Sequence, residues 1–302
     1  LPFLRTDLWR SVIVHAPMQD IVARGALEGM PVTLLPDIGW MRFLADPFGF
    51  WREGRLFVFA EAYDYRDRHG VIDVLECDAS FRVVARRTVL REPWHLSYPV
   101  VFEAKGRIWM LPEASRSGRL SLYEACRFPD EWQICSAFDF PSAAIDASPV
   151  FHQGRWWMFY TPPGPKAVRQ SVLCAAYADD LMGPWQQHPA NPIWSDRSGA
   201  RPGGSPLVVG DTIVLPTQDC RSTYGAAIRF LHLRIDPECV TCTPGYVIKP
   251  PAGLAPLSDG LHTVSAAGDV TLIDVKRVAI GPARHFLNMK RRVADMLEDK
   301  NA

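Results

Sequence analysis

The 302-residue chain lacks an excess of charge of either sign: 33 Lys and Arg offset 33 Asp and Glu, leaving zero with histidine neutral. Nothing in that balance asks for nucleic acid or an anionic membrane as a partner. No apolar run approaches the ~20 residues of a membrane span. No secretory leader is visible, so the expected location is cytoplasmic, although a chain that begins at Leu1 rather than Met bounds localisation only loosely. The chain has no GxGxxG, P-loop, nucleophile elbow or HExxH pattern, which argues against nucleotide and metalloprotease chemistry. Its eight histidines are scattered, with no metal-ligand spacing, and neither a metal nor a cofactor is expected. The seven cysteines are odd in number and fall mostly within strand-like segments, which suits small core residues better than a disulfide framework. Cys239 and Cys242 form a CxxC without the second ligand pair a structural zinc needs.

What is present is strand material. Hydrophobic residues make up 48% of the chain, and ten Trp and 26 Pro punctuate many short apolar runs, the look of an all-β fold. The organising stretch is Ala45-Asp46-Pro47-Phe48-Gly49-Phe50-Trp51. It turns at Arg52-Glu53-Gly54-Arg55 and returns through Leu56–Ala60 to Glu61. Similar hairpins recur at His95–Glu113, Ile145–Thr161, Arg201–Asp219 and Leu261–Asp274, a spacing of roughly fifty residues, within the range of propeller blades. Inner strands read as continuous apolar runs and outer strands alternate, as burial on both faces near the centre requires. The expectation is one five-bladed β-propeller of four-stranded antiparallel blades over residues 1–302. The blades fall at about 43–92, 93–141, 142–196, 197–250 and 251–280 plus 9–36. The last blade has only two strands of its own. A closed ring cannot leave edges unpaired, so the runs Ser11–His15 and Pro31–Leu35 are expected to complete it. Met18–Leu27 between them reads as a helical turn, and Ala283–Lys300 as a basic, helix-prone tail.

Within each blade the start of the first strand and the end of the second lie on one face. Those positions hold Asp46 and Glu61, Tyr98 and Glu113, Asp146 and Thr161, Arg201 with Gln218 and Asp219, and His262 with Asp274. A polar ring at the focus of an apolar layer is the expected form of a ligand site. Singly, each has a plain alternative: an Asp before Pro caps a turn, and a strand-end Glu is a solvated charge. Facing carboxylates permit glycoside hydrolysis, in which one acid protonates the leaving oxygen and another activates water or attacks. The expected catalytic residues are Asp46, Glu113 and Asp146. Glu61, His95, Tyr98, Arg201, Gln218, Asp219 and His262 are the expected substrate contacts. Arg201 before Gly203-Gly204 suits an anionic group or a surface turn, and His262 suits a ligand contact or a structural hydrogen bond. Trp51, Trp94, Trp109, Trp156 and Trp157 offer either a stacking surface for sugar rings or core packing between blades.

These hairpins resemble the five-bladed propeller glycosidases of the arabinanase, β-xylosidase and invertase group, the family 43-like furanosidases. The resemblance rests on Ala45-Asp46-Pro47, Asp146, Leu181-Met182-Gly183-Pro184-Trp185 and Asn191-Pro192-Ile193. It implies a general base at Asp46 and an orienting carboxylate at Asp146. A closer likeness is to the propeller beside the glycosyltransferase domain of plant glucosamine inositolphosphorylceramide transferases and related bacterial proteins. It is carried by His95-Leu96-Ser97-Tyr98-Pro99, Leu111-Pro112-Glu113, Thr217-Gln218-Asp219-Cys220 with Tyr224-Gly225, and Gly260-Leu261-His262-Thr263. That likeness implies a fused or associated glycosyltransferase-type domain as partner. The furanosidases place their catalytic Glu in the fourth blade, where this chain reads Arg201-Pro202-Gly203-Gly204-Ser205, so Glu113 is the candidate acid. Three functions remain: a glycosidase acting on a sugar or polysaccharide, a non-catalytic carbohydrate-binding propeller serving a partner enzyme, and a protein-interaction propeller.

Overall fold

A computed structural model describes residues 5–289. Five antiparallel sheets follow one another around a ring. Blade one is built from Arg42–Arg52, Arg55–Asp64, His69–Cys77 and Val83–Leu90, and blade two from Ser97–Ala104, Arg107–Glu113, Tyr123–Arg127 and Glu131–Ile134. Blade three holds Ile145–His152, Arg155–Thr161 and Val172–Ala178, and its outer edge is split into two short pieces, Gln186–Gln187 and Trp194–Ser195, that both pair with Val172–Ala178. Blade four contains Leu207–Val209, Thr212–Asp219, Ala227–Ile235 and Val240–Ile248. Blade five joins Val264–Ala267 and Val270–Ile280 to the N-terminal strands Arg5–Val14 and Val32–Leu34. The closure expected from counting strands is therefore present. It is longer than the apolar run alone suggested, because Arg5–Val14 pairs with Val270–Ile280 from Arg5 opposite Ile280 to Val14 opposite Thr271. A helix, Met18–Arg24, links the two N-terminal strands; residues 283–289 are helical, and the rest of the expected tail lies outside the described residues.

Local chemistry explains the repeat. In blades one to three the inner hairpin turns on Glu53-Gly54, Lys105-Gly106 and Gln153-Gly154, with both residues of each pair at positive φ. That is the two-residue turn whose twist matches the flanking strands. The first strands of the same blades each carry a bulge, between Ala45 and Phe48, Ser97 and Val100, and Ile145 and Ser148. The residue inside the bulge has φ 49° at Asp46, 48° at Tyr98 and 50° at Asp146. A bulge bends the strand and re-aims one side chain, and here it does so at equivalent points of three blades.

Blade four departs from this plan. The sequence suggests a first strand over Arg201–Val209, but regular pairing covers only Leu207–Val209. Pro202 makes an isolated bridge to Thr217, and Gly204 a parallel one to Val264 of blade five. A Cβ on Gly204 would lie 1.7 Å from the Val264 carbonyl oxygen, so only glycine permits this crossing. The core lies between neighbouring blades, with Phe48, Tyr98, Leu111, Met158 and Tyr160 in one cluster and Val12, Ile228, Phe230, Val264 and Ile273 in another.

Candidate functional site

The strand ends of three blades, loop residues of the fourth and the N-terminal strand of the fifth border one cleft of about 460 Å³. Asp46, Glu61, His95, Glu113, Arg201 and His262, all singled out from the sequence, line it. The remaining four do not. Asp146 lies one step deeper, under Arg201, whose Nε donates to its Oδ2 at 2.6 Å. Gln218 sits behind it and donates Nε2 to the same Oδ2 at 3.1 Å and to the Pro202 carbonyl at 2.9 Å. Asp219 accepts from its neighbour Arg221 at 2.7 Å. Tyr98 is fully buried and spans the axis: its hydroxyl donates to the Gly204 carbonyl at 2.9 Å and accepts from the Gly204 N–H at 2.6 Å. Ser148 Oγ completes its partners at 2.8 Å. Tyr98 thus ties blade two to blade four.

Asp46 occupies the most interconnected position. Its N–H donates to Asp274 Oδ2 at 2.9 Å, and its Oδ1 accepts from the Thr263 hydroxyl at 2.7 Å. Asp274, fully buried, also accepts from the N–H groups of His262 and Thr263 at 3.0 and 2.9 Å, and its Oδ2 lies 2.6 Å from His262 Nδ1. Burial pushes the Asp46 carboxyl up to about 6; the His262 cation opposes this, and the Asp274 and Asp146 charges add to it. For His262 burial works against the charged ring, but the Asp274 and Asp46 carboxylates outweigh it and raise its pKa. Trp9 stacks flat on the His262 ring, 3.7 Å between centroids at 12°, and the buried Lys276 ammonium lies 5.0 Å from the Trp9 ring. Lys276 is anchored by the Tyr224 carbonyl at 2.6 Å and Asp7 at 3.3 Å.

On the opposite wall Glu61 is driven well above the usual carboxylate range, first by burial and then by the charges of Asp46 and Glu113. His95 Nε2 lies 3.3 Å from Glu61 Oε1, while its Nδ1 accepts from the Gly70 N–H at 3.0 Å. Burial lowers the His95 pKa to about 4, so the ring is neutral near pH 7 and its hydrogen sits on Nε2, facing Glu61. Glu113 is held by the Ser115 N–H at 2.8 Å and the Ser97 hydroxyl at 3.3 Å. For Asp146 burial raises the pKa and the Arg201 guanidinium opposes it, with the rise prevailing.

Among the described residues, Asp46, His262 and Asp274 are the one group of His and carboxylate side chains close enough to share a metal, with ligand atoms within 4.8 Å of one another. Within this group the His262 Nδ1 lies against Asp274 Oδ2, an arrangement that a ring hydrogen on Nδ1 satisfies. None of Trp51, Trp94, Trp109, Trp156 and Trp157 lines the cleft; Trp109 and Trp157 are core residues, and the Trp51 indole donates to the Ala267 carbonyl at 2.9 Å. The aromatic lining is instead Trp9, Phe43, Tyr63, Tyr65 and Tyr224. Trp9 escapes a blade-by-blade reading because only the ring closure brings the first strand beside His262.

The comparisons with known proteins agree with this architecture. Over 197 residues the chain is 35% identical to glucosamine inositolphosphorylceramide transferase 1 of Oryza sativa subsp. indica, covering 63% of this chain and 26% of that protein. The Arabidopsis thaliana counterpart is 31% identical, with 64% and 26% covered. The chain thus spans about a quarter of the length of the curated relatives it matches. Among solved structures, a GH43 enzyme from Xanthomonas citri superposes with a TM-score of 0.54 at 13% identity, covering 86% of this chain and 92% of that one. A likeness that distant shows the shared five-bladed fold alone. Residues 35–238 match the model of the family described as glucosamine inositolphosphorylceramide transferase 1, N-terminal, and the chain belongs to that family.

Proposed function

We propose that this propeller is a carbohydrate-binding module that serves a glycosyltransferase, with the cleft as its glycan site. The observation that supports this most is Arg201. At the place in blade four where the furanosidase pattern calls for an acid, the chain carries a guanidinium locked onto Asp146 at 2.6 Å. An arginine there cannot donate a proton to a leaving oxygen near neutral pH. The polar floor and aromatic walls suit a bound sugar, with Asp46, Glu61, His95, Glu113, Arg201 and His262 as its contacts. Asp146, Gln218 and Asp219 support Arg201 and its surroundings, and Tyr98 holds the blade positions. Membership of a family named for the N-terminal region of a transferase supports the partner. The test is a glycan panel read for both binding and hydrolysis with purified protein. Binding without turnover supports the module, and an absence of any glycan binding rejects it.

A second reading is favoured by Asp46, Glu61 and Glu113 sharing one cleft. In it the protein is a glycosidase with Asp46 as base, Glu113 as acid and Asp146 as orienting residue. In this reading Glu61, whose carboxyl burial pushes well above the usual range, serves as a further proton donor. Turnover that disappears in both Asp46→Asn and Glu113→Gln, with the fold intact, selects this reading; turnover unchanged in either removes that residue from it.

A further inference from the structure

Beside the cleft lies a second cavity, of about 550 Å³, between blades one and five. The strand Arg5–Val14 is the wall between the two. Side chains alternate along a strand, so Asp7 borders the cleft while Thr6, Leu8 and Arg10 border the cavity. Trp9 and Phe43 touch both spaces. Phe43 completes the partition from blade one, stacked on Tyr63 of the cleft with 5.0 Å between ring centroids. The rims also meet at consecutive residues: Ala283 borders the cavity and Arg284 the cleft.

Trp40 stands on the rim of the cavity, 64% exposed. A tight turn holds it there. Gly39 and Met41 have φ 107° and 57°, the Arg42 N–H donates to the Gly39 carbonyl at 3.2 Å, and the Tyr65 N–H donates to the Met41 carbonyl at 2.9 Å. Deeper in, Thr6 lines the cavity while only 3% exposed, and its hydroxyl has no hydrogen-bond partner among the described residues. A buried hydroxyl left without a partner is costly, so this one calls for a ligand or solvent atom in the cavity. Arg10 donates to Asp37 at 2.6 Å, and Asp37 in turn accepts from the Gly39 N–H at 2.9 Å. Arg277 is exposed on the neighbouring strand and pairs with no carboxylate among the described residues.

We propose that this cavity is a second carbohydrate subsite, and that the ligand of the cleft is an oligosaccharide long enough to cross from one space into the other. The proposal rests on the reading of the cleft as a glycan site. A sugar ring has an apolar C–H face and a rim of hydroxyls that both donate and accept. Trp40 offers a flat apolar surface for the face. The Thr6 hydroxyl and the Arg10–Asp37 pair offer donors and acceptors for the rim, and Arg277 adds donors. A cavity of this volume with few fixed polar groups suits a small ligand better than a folded partner. The two spaces lie on opposite faces of one strand, so a single ring occupies one of them and a chain of several units is needed to fill both.

Calorimetry on the whole chain with xylo-, arabino- and cello-oligosaccharides of one to six units tests this. In at least one series the affinity is expected to rise ten-fold or more from the shortest bound probe to the longest. Trp40→Ala should remove most of that gain and leave the affinity of the shortest bound probe unchanged. Thr6→Val and Arg277→Ala should each remove part of it. Trp40 and Arg277 are exposed, so urea midpoints of their variants should match the parent and separate a lost contact from a lost fold. Octyl glucoside, set against the cello-oligosaccharides, compares an alkyl tail with added sugars. Affinity independent of length in every series that binds, a gain that survives Trp40→Ala, or an equal loss for short and long probes in that variant overturns the proposal. So does an octyl tail that gains as much as the added sugars. Each of these results leaves the glycan reading of the cleft standing. Failure to bind any probe overturns both.

Discussion

Asp46 and Asp146 occupy the same bulge of successive odd-numbered blades, with φ 49° and 50°, and both are buried. Their surroundings differ completely. Asp46 looks across to blade five, where a buried Asp274–His262 pair and the Thr263 hydroxyl meet it. Asp146 looks across to blade four, where Arg201 and Gln218 close on it. The repeat places the carboxylate; the neighbouring blade decides what that carboxylate does. One is left facing the cleft among proton-sharing groups, and the other is spent holding an arginine.

The widest gap between the two sites should come from removing their anchors. Asp274→Ala strips the acceptor from three buried N–H groups and isolates His262, and a loss of about 4 kcal/mol in chemical unfolding is expected. A loss below about 1 kcal/mol would mean that blade five does not organise Asp46. Arg201→Met leaves Asp146 buried without its ion partner, and about 3 kcal/mol should be lost. Adding Asp146→Asn should recover part of that, so the double-variant cycle reports a coupling of about 1 kcal/mol or more. Additive losses would show that the pair is only adjacent.

Titration separates the two sites more finely. The folded pKa of Asp46, about 6, lies above that of an unfolded aspartate, so the folded state holds the extra proton between about pH 4 and pH 6. Stability from this group is present below pH 4 and is lost as pH rises through 6, on the order of 3 kcal/mol. His262, also raised, acts in the same sense: its contribution is complete below the unfolded value of 6.5 and fades as pH climbs through the higher folded one. Urea midpoints for the parent and Asp46→Asn at pH 4, 6 and 8 should therefore differ most between 4 and 6, where the parent declines more than the variant, which keeps the raised carboxyls of Glu61 and Asp146. A decline of equal size in the variant would assign it elsewhere. The smallest effect is expected at the axis, where Tyr98→Phe removes the hydroxyl shared by Gly204 and Ser148 and should cost about 1–2 kcal/mol.

Much of this was readable from the residues. The hairpins announce themselves through Glu53-Gly54, Lys105-Gly106 and Gln153-Gly154, and counting strands was enough to expect Ser11–His15 and Pro31–Leu35 in the last blade. Six of ten expected site residues reach the cleft because blade geometry brings equivalent strand ends together. Pairings between blades were not readable. Nothing local in Arg201 says that it will lie on Asp146, 55 positions away, or that Trp9 will lie on His262. Blade four was misjudged in its first strand because the Gly204 crossing to Val264 depends on a contact that exists only in the closed ring.

The seal between Arg5–Val14 and Val270–Ile280 sets an order of events during synthesis. Asp274 belongs to the later of these strands, and it holds both the Asp46 amide and the His262 ring. A ribosome that has delivered blades one to four has made most of the fold and most of the cleft's walls, but not the carboxylate that fixes Asp46 and His262. The last strand therefore acts as the latch that sets these two side chains once the walls already stand.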